Sequence, residues 1–439
     1  MTYNENELRE EHIKSIEDRN KKINSGIDRR VVTLEQLGDQ SRGDMQQRTV
    51  VECFLKKCGL WKNREGIFDS HEERNLHCPN VLFCPGPAGT GKSFVIDCLV
   101  HEIESRGKEK YALNNDECKV LVLGPTGKSA LAVGGHTINS NQGLSVPIRD
   151  LDNVSKHSLR DGTALLRLQH NLRYVEAIIV DEYSMISSRQ LYWMNRRLKE
   201  GKKTNRFKDS TWSNDMPFNG IPILFMGNPG QLPPVGGSSM WLEKTTSGRT
   251  LSTVAREGYE LYRTMSKSVL FLTEVRRQSG EFKDMLGRLR NGCNSREDWR
   301  LLNDTCGSKI DENNKEDTTI ILTTNEAVRK KNIEMLRKLR LDGNHVLQIL
   351  AEHDSKSTST YSSEYCRRLQ SKLYLAVGAK VMLQWNLAVN AGLVNGSMGV
   401  IRDFVYCIDA DSPSYIIIEF EDFKGVPYFS CEEKKNGYL

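Results

Sequence analysis

Eight consecutive residues, Gly86-Pro87-Ala88-Gly89-Thr90-Gly91-Lys92-Ser93, restrict the fold of this chain more than any other feature. An apolar run, NVLFCPG at 80–86, leads into them, and a helical segment starts at Phe94. Strand, glycine loop and helix in that order make a phosphate-binding loop. Gly86, Gly89 and Gly91 permit backbone angles that side chains block, so successive N–H groups converge on phosphate oxygens at a helix N-terminus. Lys92 is positioned to reach the β- and γ-phosphates. Ser93 is positioned to put its hydroxyl on Mg²⁺, a cation that keeps several waters and takes few protein ligands.

The apolar runs NVLFCPG (80–86), KVLVLGPT (119–126), AIIVDEYS (177–184) and IPILFMGN (221–228) alternate with segments of helical period. Near-continuous apolar strands are those of a parallel sheet covered by helices on both faces. A second series, VLFLTEV (269–275), TIILTT (319–324) and AKVMLQ (379–384), predicts a second α/β domain. MGVIRDF (398–404) and SYIIIEF (414–420) predict an antiparallel pair. The expected division is a charged tail at 1–43, a first domain at 44–262, a second and incomplete domain at 263–397, and the start of a small β insertion at 398–439.

Asp181-Glu182 ends one of the apolar runs, so two carboxylates emerge at the C-terminal edge of the sheet, where open α/β folds bind ligands. Asp181 is the candidate Mg²⁺ ligand, and Glu182 the candidate base for the attacking water.

A net charge of +5 favours an anionic partner without marking a strongly cationic nucleic-acid binder. The basic segment Arg196 to Lys208 carries seven Lys or Arg and one Glu and reads as a solvated loop or a nucleic-acid contact. The eleven cysteines are scattered and predict reduced thiols, while the spacing of Cys53, Cys58, His77 and Cys78 fits no standard zinc site. No apolar run reaches the roughly 20 residues that cross a bilayer.

The remaining motifs are similar to those of the PIF-type and RecD-like superfamily 1 helicases. Gly227-Asn-Pro-Gly-Gln231-Leu-Pro-Pro-Val235 resembles the G-D-x-x-Q-L-P-P-V motif, with Gln231 as the γ-phosphate sensor. Thr126-Gly127-Lys-Ser-Ala130 with Gly134-Gly-His-Thr137-Ile-Asn-Ser140 resembles the segment lining the single strand, which implies DNA contacts at Thr126, Gly127, Thr137 and Ser140. Leu272-Thr-Glu-Val-Arg-Arg277-Gln278 resembles the R-Q motif, which implies that Arg277 reaches the γ-phosphate across the cleft. Val377-Gly-Ala-Lys380-Val-Met-Leu383 and Gly392-Leu-Val-Asn395-Gly396-Ser-Met-Gly399 resemble a paired motif of the second core domain and imply DNA contacts at Lys380, Asn395 and Gly396. In DMQQRTVVE, Gln47 aligns with the glutamine that reads adenine, and Gln46 stands beside it.

The resemblance implies a P-loop NTPase with two RecA-like parallel-sheet domains, ATP and Mg²⁺ as cofactors, and single-stranded DNA or a single-strand/duplex junction as partner, with no membrane. The implied activity is ATP-dependent DNA unwinding of 5′→3′ polarity in replication, repair, recombination or telomere maintenance, inside the cell. Asn228 replaces the family's Asp and Asn139 its His. The family's final motifs, H-K-S-Q-G and Y-V-A-L-S-R, are not found before Leu439, so the second domain is expected to be incomplete. The alternative expectation is a protein that binds ATP and DNA without unwinding.

Overall fold

The structure is a computed structural model that describes residues 31–38, 45–63, 66–67, 80–112, 118–138, 144, 146, 150–157, 159, 162–201, 216–245, 247–305, 319–352, 369–388, 391–406, 413–421 and 423–425. Asn139, Ser140, His77, Cys78 and Lys202–Lys208 lie outside them. The chain forms two compact units, Asp28–Trp299 and a second that contains Arg300–Leu439.

The first unit opens with α1 (Leu34–Gly38) and α2 (Met45–Lys57), then β1 (Val81–Pro85), α3 (Lys92–Tyr111), β2 (Lys119–Gly124), α4 (Gly127–Ala132) and β3 (His136–Thr137). It continues through α5 (Val154–His157), α6 (Thr163–Leu172), β4 (Val175–Val180), α7 (Ser188–Gly201), β5 (Ile223–Gly227), α8 (Thr253–Met265), α9 (Gly280–Arg290) and the start of α10 (Arg296–Thr305). Among its described residues five strands form one sheet in the order β1-β5-β4-β2-β3, with every pairing parallel. The four apolar runs of the first series therefore supply β1, β2, β4 and β5.

Side-chain alternation along these strands splits the core into two layers. Leu82, Cys84, Val120, Val122, Ile179 and Leu224 pack under α2 and α3 against Val51, Phe54, Ile96 and Leu99. On the opposite face, Phe83, Leu123, Ile178, Val180 and Phe225 pack against Leu168 and Leu172 of α6 and Leu191, Met194 and Leu198 of α7. Phe83 and Phe225 stack on adjacent strands with ring centroids 4.8 Å apart. Burial on both faces is why these runs are continuously apolar.

Three expectations are revised here. The expected tail is not all tail, because Val32 and Leu37 are buried in the layer under α2 and α3. The VLFLTEV run does not begin a second sheet. It lies parallel along the outer side of β1, with Leu270 N–H donating to Phe83 O at 2.9 Å and Leu272 N–H to Pro85 O at 3.0 Å. A continuous apolar run reveals that a strand is buried but not which sheet receives it, and the first unit accordingly runs to Trp299 rather than to 262. The basic segment starts as structure: Arg196 pairs with Glu200 at 2.9 Å, and the buried Arg197 pairs with the same carboxylate at 3.0 Å.

The second unit holds α11 (Asn325–Leu341), an antiparallel pair β6 (Val346–Leu350) and β7 (Lys372–Ala376), and an antiparallel sheet of β8 (Lys380–Met382), β9 (Met398–Val405) and β10 (Tyr415–Phe420) in the order β10-β9-β8. The expected pairing of 398–404 with 414–420 is present as β9 and β10, tied by an ion pair between Arg402 and Glu419. Residues 319–324 are not a strand, and Ile321 there is 93% exposed. Among the described residues no parallel sheet forms in this unit. None of the helices in the described residues is long and apolar enough to cross a membrane.

Candidate functional site

The phosphate-binding loop leaves the C-terminal end of β1 and enters α3 at Lys92. Gly86 N–H donates to Gly227 O at 2.9 Å, which pins the loop to the end of β5. Gly91 takes φ +80° directly before α3, and a Cβ on it would run into the Gln47 amide nitrogen. Glycine is required there on both counts. Lys92 Nζ donates to Gly86 O at 3.1 Å and Pro87 O at 3.0 Å, so its ammonium lies against the first two carbonyls of the loop. Burial lowers its pKa, opposed by the carboxylates of Glu182 and Asp181 and reinforced by the Arg277 guanidinium.

Asp181 and Glu182 follow β4. Asp181 is 7% exposed, and its Oδ1 accepts the Glu182 N–H at 2.9 Å. Burial, and then the Glu182 carboxylate, push its pKa up to about 6. A buried, partly protonated carboxyl beside a lysine can take a cation, which would favour its charged form. Ser93 is exposed in the first turn of α3. Glu182 sits at φ 49°, ψ 45°, a left-handed conformation that costs a non-glycine residue on the order of 1 kcal/mol. Gly227 makes room for it, since a Cβ there would lie 2.9 Å from Tyr183 N and 3.2 Å from Glu182 Cα.

Arg277 stands in the same compact unit as the loop and not on a facing one. Arg276 N–H donates to Gly89 O at 2.8 Å, and a Cβ on Gly89 would come within 2.7 Å of Arg277 Cβ. The extended segment beside β1 therefore delivers Arg277 directly over the phosphate-binding loop. Gln231 lies on the loop after β5, the strand between those bearing Lys92 and Asp181. Asn228 folds that loop: its Oδ1 accepts Gly230 N–H at 3.2 Å, and its backbone carbonyl accepts Gln231 N–H at 3.0 Å. The neutral amide at 228 thus has a structural task that needs no charge.

The two neighbouring glutamines separate. Gln47 is 2% exposed, and its Nε2 donates to Thr90 O at 2.8 Å behind the loop, while its Oε1 has no partner. Gln46 points elsewhere, with Nε2 donating to Thr273 Oγ1 at 2.8 Å and Oε1 accepting Thr273 N–H at 2.8 Å. Reading the motif by residue type does not find the bond to Thr273. Two side chains about 100° apart on a helix can serve two different loops, and no local pattern names the second.

These features come together at one edge of one sheet: a lysine in a glycine loop, a buried Asp181 followed by a half-buried Glu182, and Arg277 packed beside that loop. A model of the PIF1-like helicase family matches residues 59–300, more than half of the chain. The chain belongs to the PIF1-like helicase family. A second model, that of the 2B domain of DNA helicase Pif1, matches residues 369–404.

The ATP-dependent DNA helicase PIF1 of Saccharomyces cerevisiae is 28% identical over 385 residues, covering 85% of this chain and 39% of the relative. PIF1 of Xenopus laevis is 27% identical over 330 residues, covering 74% of this chain and 44% of the relative. The chain thus spans about two fifths of the length of these curated relatives. The crystal structure of Pif1 helicase from Candida albicans shares the fold with a TM-score of 0.53 at 23% identity, covering 86% of this chain and 75% of that one. A Bacteroides Pif1 in complex with ADP-AlF3 and single-stranded DNA has a TM-score of 0.50 at 20% identity, covering 82% and 74%.

Among the residues suggested for DNA contact, Thr126 and Thr137 adjoin at the ends of β2 and β3, where Gly124 pairs with Thr137. The Thr126 hydroxyl caps α4 by accepting Ser129 N–H at 3.2 Å, Gly127 is buried as the first residue of that helix, and the Thr137 side chain is buried. Lys380, Asn395 and Gly396 share the β8–β9 hairpin, where Gly396 N–H donates to Leu383 O at 2.8 Å and Asn395 N–H to Asn386 Oδ1 at 2.8 Å. This hairpin falls within the stretch matched by the 2B model rather than in a parallel-sheet core domain.

Proposed function

We propose that this chain hydrolyses ATP to drive unwinding of DNA from a single-strand/duplex junction, with 5′→3′ polarity. The observation that carries the reading is the convergence of Lys92, Asp181, Glu182 and Arg277 at the end of one parallel sheet, in a chain of this family. In this reading the backbone amides of Ala88 to Ser93 and the Lys92 ammonium grip the β- and γ-phosphates, while the Gly86 N–H stays on Gly227 O. Glu182 accepts the proton of the attacking water, Gln231 senses the γ-phosphate, and Arg277 offsets the charge that builds on the transferring group.

Mg²⁺ fits the donors present, the Ser93 hydroxyl and the Asp181 carboxyl, and would neutralise charge on the β- and γ-oxygens. Among the described residues no cluster of three or more His, Cys, Asp or Glu forms an alternative metal site. Gln47 Oε1, buried and without a partner, suits the exocyclic amine of adenine. Each unit offers its own candidate contacts for the backbone of single-stranded DNA, Thr126, Gly127, Thr137 and Ser140 in the first and Lys380, Asn395 and Gly396 in the second, with little reading of sequence. The protein works inside the cell, in the nucleus or mitochondrion if that cell is eukaryotic, in replication, repair, recombination or telomere maintenance.

Strand displacement on duplexes with a 5′ or a 3′ tail tests the reading, with Glu182→Gln as control. Displacement from the 5′ tail alone is expected, and displacement from the 3′ tail alone reverses the polarity. A second reading, ATP and DNA binding without unwinding, draws on the exposed apolar residues 320–322 of the second unit. DNA-stimulated hydrolysis without displacement from either tail would favour it.

A further inference from the structure

The segment carrying Arg277 is held at two points that flank a gap. Its pairing with β1 ends at Leu272 N–H to Pro85 O, and its next bond to the phosphate-binding loop is Arg276 N–H to Gly89 O. Between them lies Thr273, whose backbone N–H and hydroxyl both bind the Gln46 carboxamide. An amide donates and accepts at once, so one side chain of α2 holds both the N–H and the hydroxyl of Thr273, on the edge of the segment opposite the one that Leu270 and Leu272 turn to β1. Gln47, the next residue of the same helix, holds Thr90 O. The first turn of α2 therefore grips the loop with one glutamine and the arginine segment with the other.

We propose that Gln46 is a positioning residue for Arg277, fixing the register of the arginine segment against the phosphate-binding loop. The inference rests on the ATPase reading above. It assigns Gln46 no contact with the nucleotide; its effect reaches the reaction only through Arg277. Misplacement of a catalytic group by about 1 Å can cost ~100-fold in rate, so a partial slip that Arg276 and Leu272 still restrain should cost about tenfold.

The test is steady-state ATP hydrolysis with saturating single-stranded DNA for wild type, Gln46→Ala, Gln46→Glu, Thr273→Val, Arg277→Ala and the Gln46→Ala/Arg277→Ala double variant. Gln46→Ala should lower kcat about tenfold with KM for ATP within about twofold. Gln46→Glu should recover most of the loss, because a carboxylate accepts both the Thr273 N–H and its hydroxyl. Thr273→Val, which keeps the N–H, should lose less than Gln46→Ala. In the Arg277→Ala background the Gln46 substitution should have no further effect on kcat. Unchanged kcat in Gln46→Ala overturns the proposal alone, as does the same fractional loss with and without Arg277. No hydrolysis by the wild type removes the ATPase reading and the proposal with it.

Discussion

The backbone N–H of Arg276 meets the carbonyl of Gly89 at 2.8 Å, and that bond joins the phosphate-binding loop to the segment bearing the neighbouring arginine. The arginine is therefore built into the nucleotide-binding unit itself. Arg277→Ala should lower ATP turnover about 10³-fold while nucleotide affinity changes far less, because a finger of this kind acts on transition-state charge. Gly89→Ala should also impair turnover, since Gly89 holds φ +85° and a Cβ there crowds Arg277 Cβ. Turnover and nucleotide titration of both variants check this.

Asp181 gives the site a pH signature. Its pKa in the folded protein is raised to about 6, so the contribution of the protonated form to stability is complete below the ordinary carboxylate range and lost as pH rises through about 6. In the absence of nucleotide and Mg²⁺, Asp181→Asn should be more stable than wild type at pH 8, by at most ~2–3 kcal/mol, with the difference vanishing near pH 4. Mg²⁺-dependent nucleotide affinity of the wild type should fall as pH drops through about 6, with the midpoint moving down as Mg²⁺ is raised. Denaturation and binding curves across that range measure both.

Glu182 is held in a left-handed backbone conformation at the point where the attacking water would be activated. Glu182→Ala and Glu182→Gly both remove the carboxylate and should lower hydrolysis by about 10²–10⁴-fold. They should differ in stability, with the glycine variant more stable by roughly 1 kcal/mol because only the alanine keeps the strained Cβ. Thermal denaturation of the pair isolates the strain from the chemistry.

The Arg288–Asp298 pair braces the last helices of the first unit. Arg288, first, and the Ser295 backbone N–H hold Asp298 down to about 2. Its contribution is present above the ordinary carboxylate pKa and disappears as pH falls through about 2. Asp298→Asn should lower Tm at pH 7, and the gap from wild type should narrow below about pH 4.

What could be read from the sequence was what is local in it. Gly86 to Ser93 and Asp181-Glu182 each sit at the end of a run whose residues are consecutive, so strand, loop and helix were recoverable from the order of residue types. Pairing between distant runs was not. Nothing in VLFLTEV distinguishes a partner in β1 from one in a later sheet, and that choice moved Arg277 into the unit of the phosphate-binding loop. Val32 and Leu37 were hidden for a related reason, since the four apolar residues Val31, Val32, Leu34 and Leu37 span less than two helical turns, too short for a period, and gain meaning only from the helices they meet. Thr273 carried no signal because its partner, Gln46, is 227 residues away.

The most direct test is the rate of ATP hydrolysis by the purified chain as single-stranded DNA is titrated, wild type against Lys92→Ala. The wild-type rate should climb with DNA to a plateau while Lys92→Ala stays at background. Equal rates in the two proteins, or a wild-type rate that no concentration of DNA changes, would contradict the account.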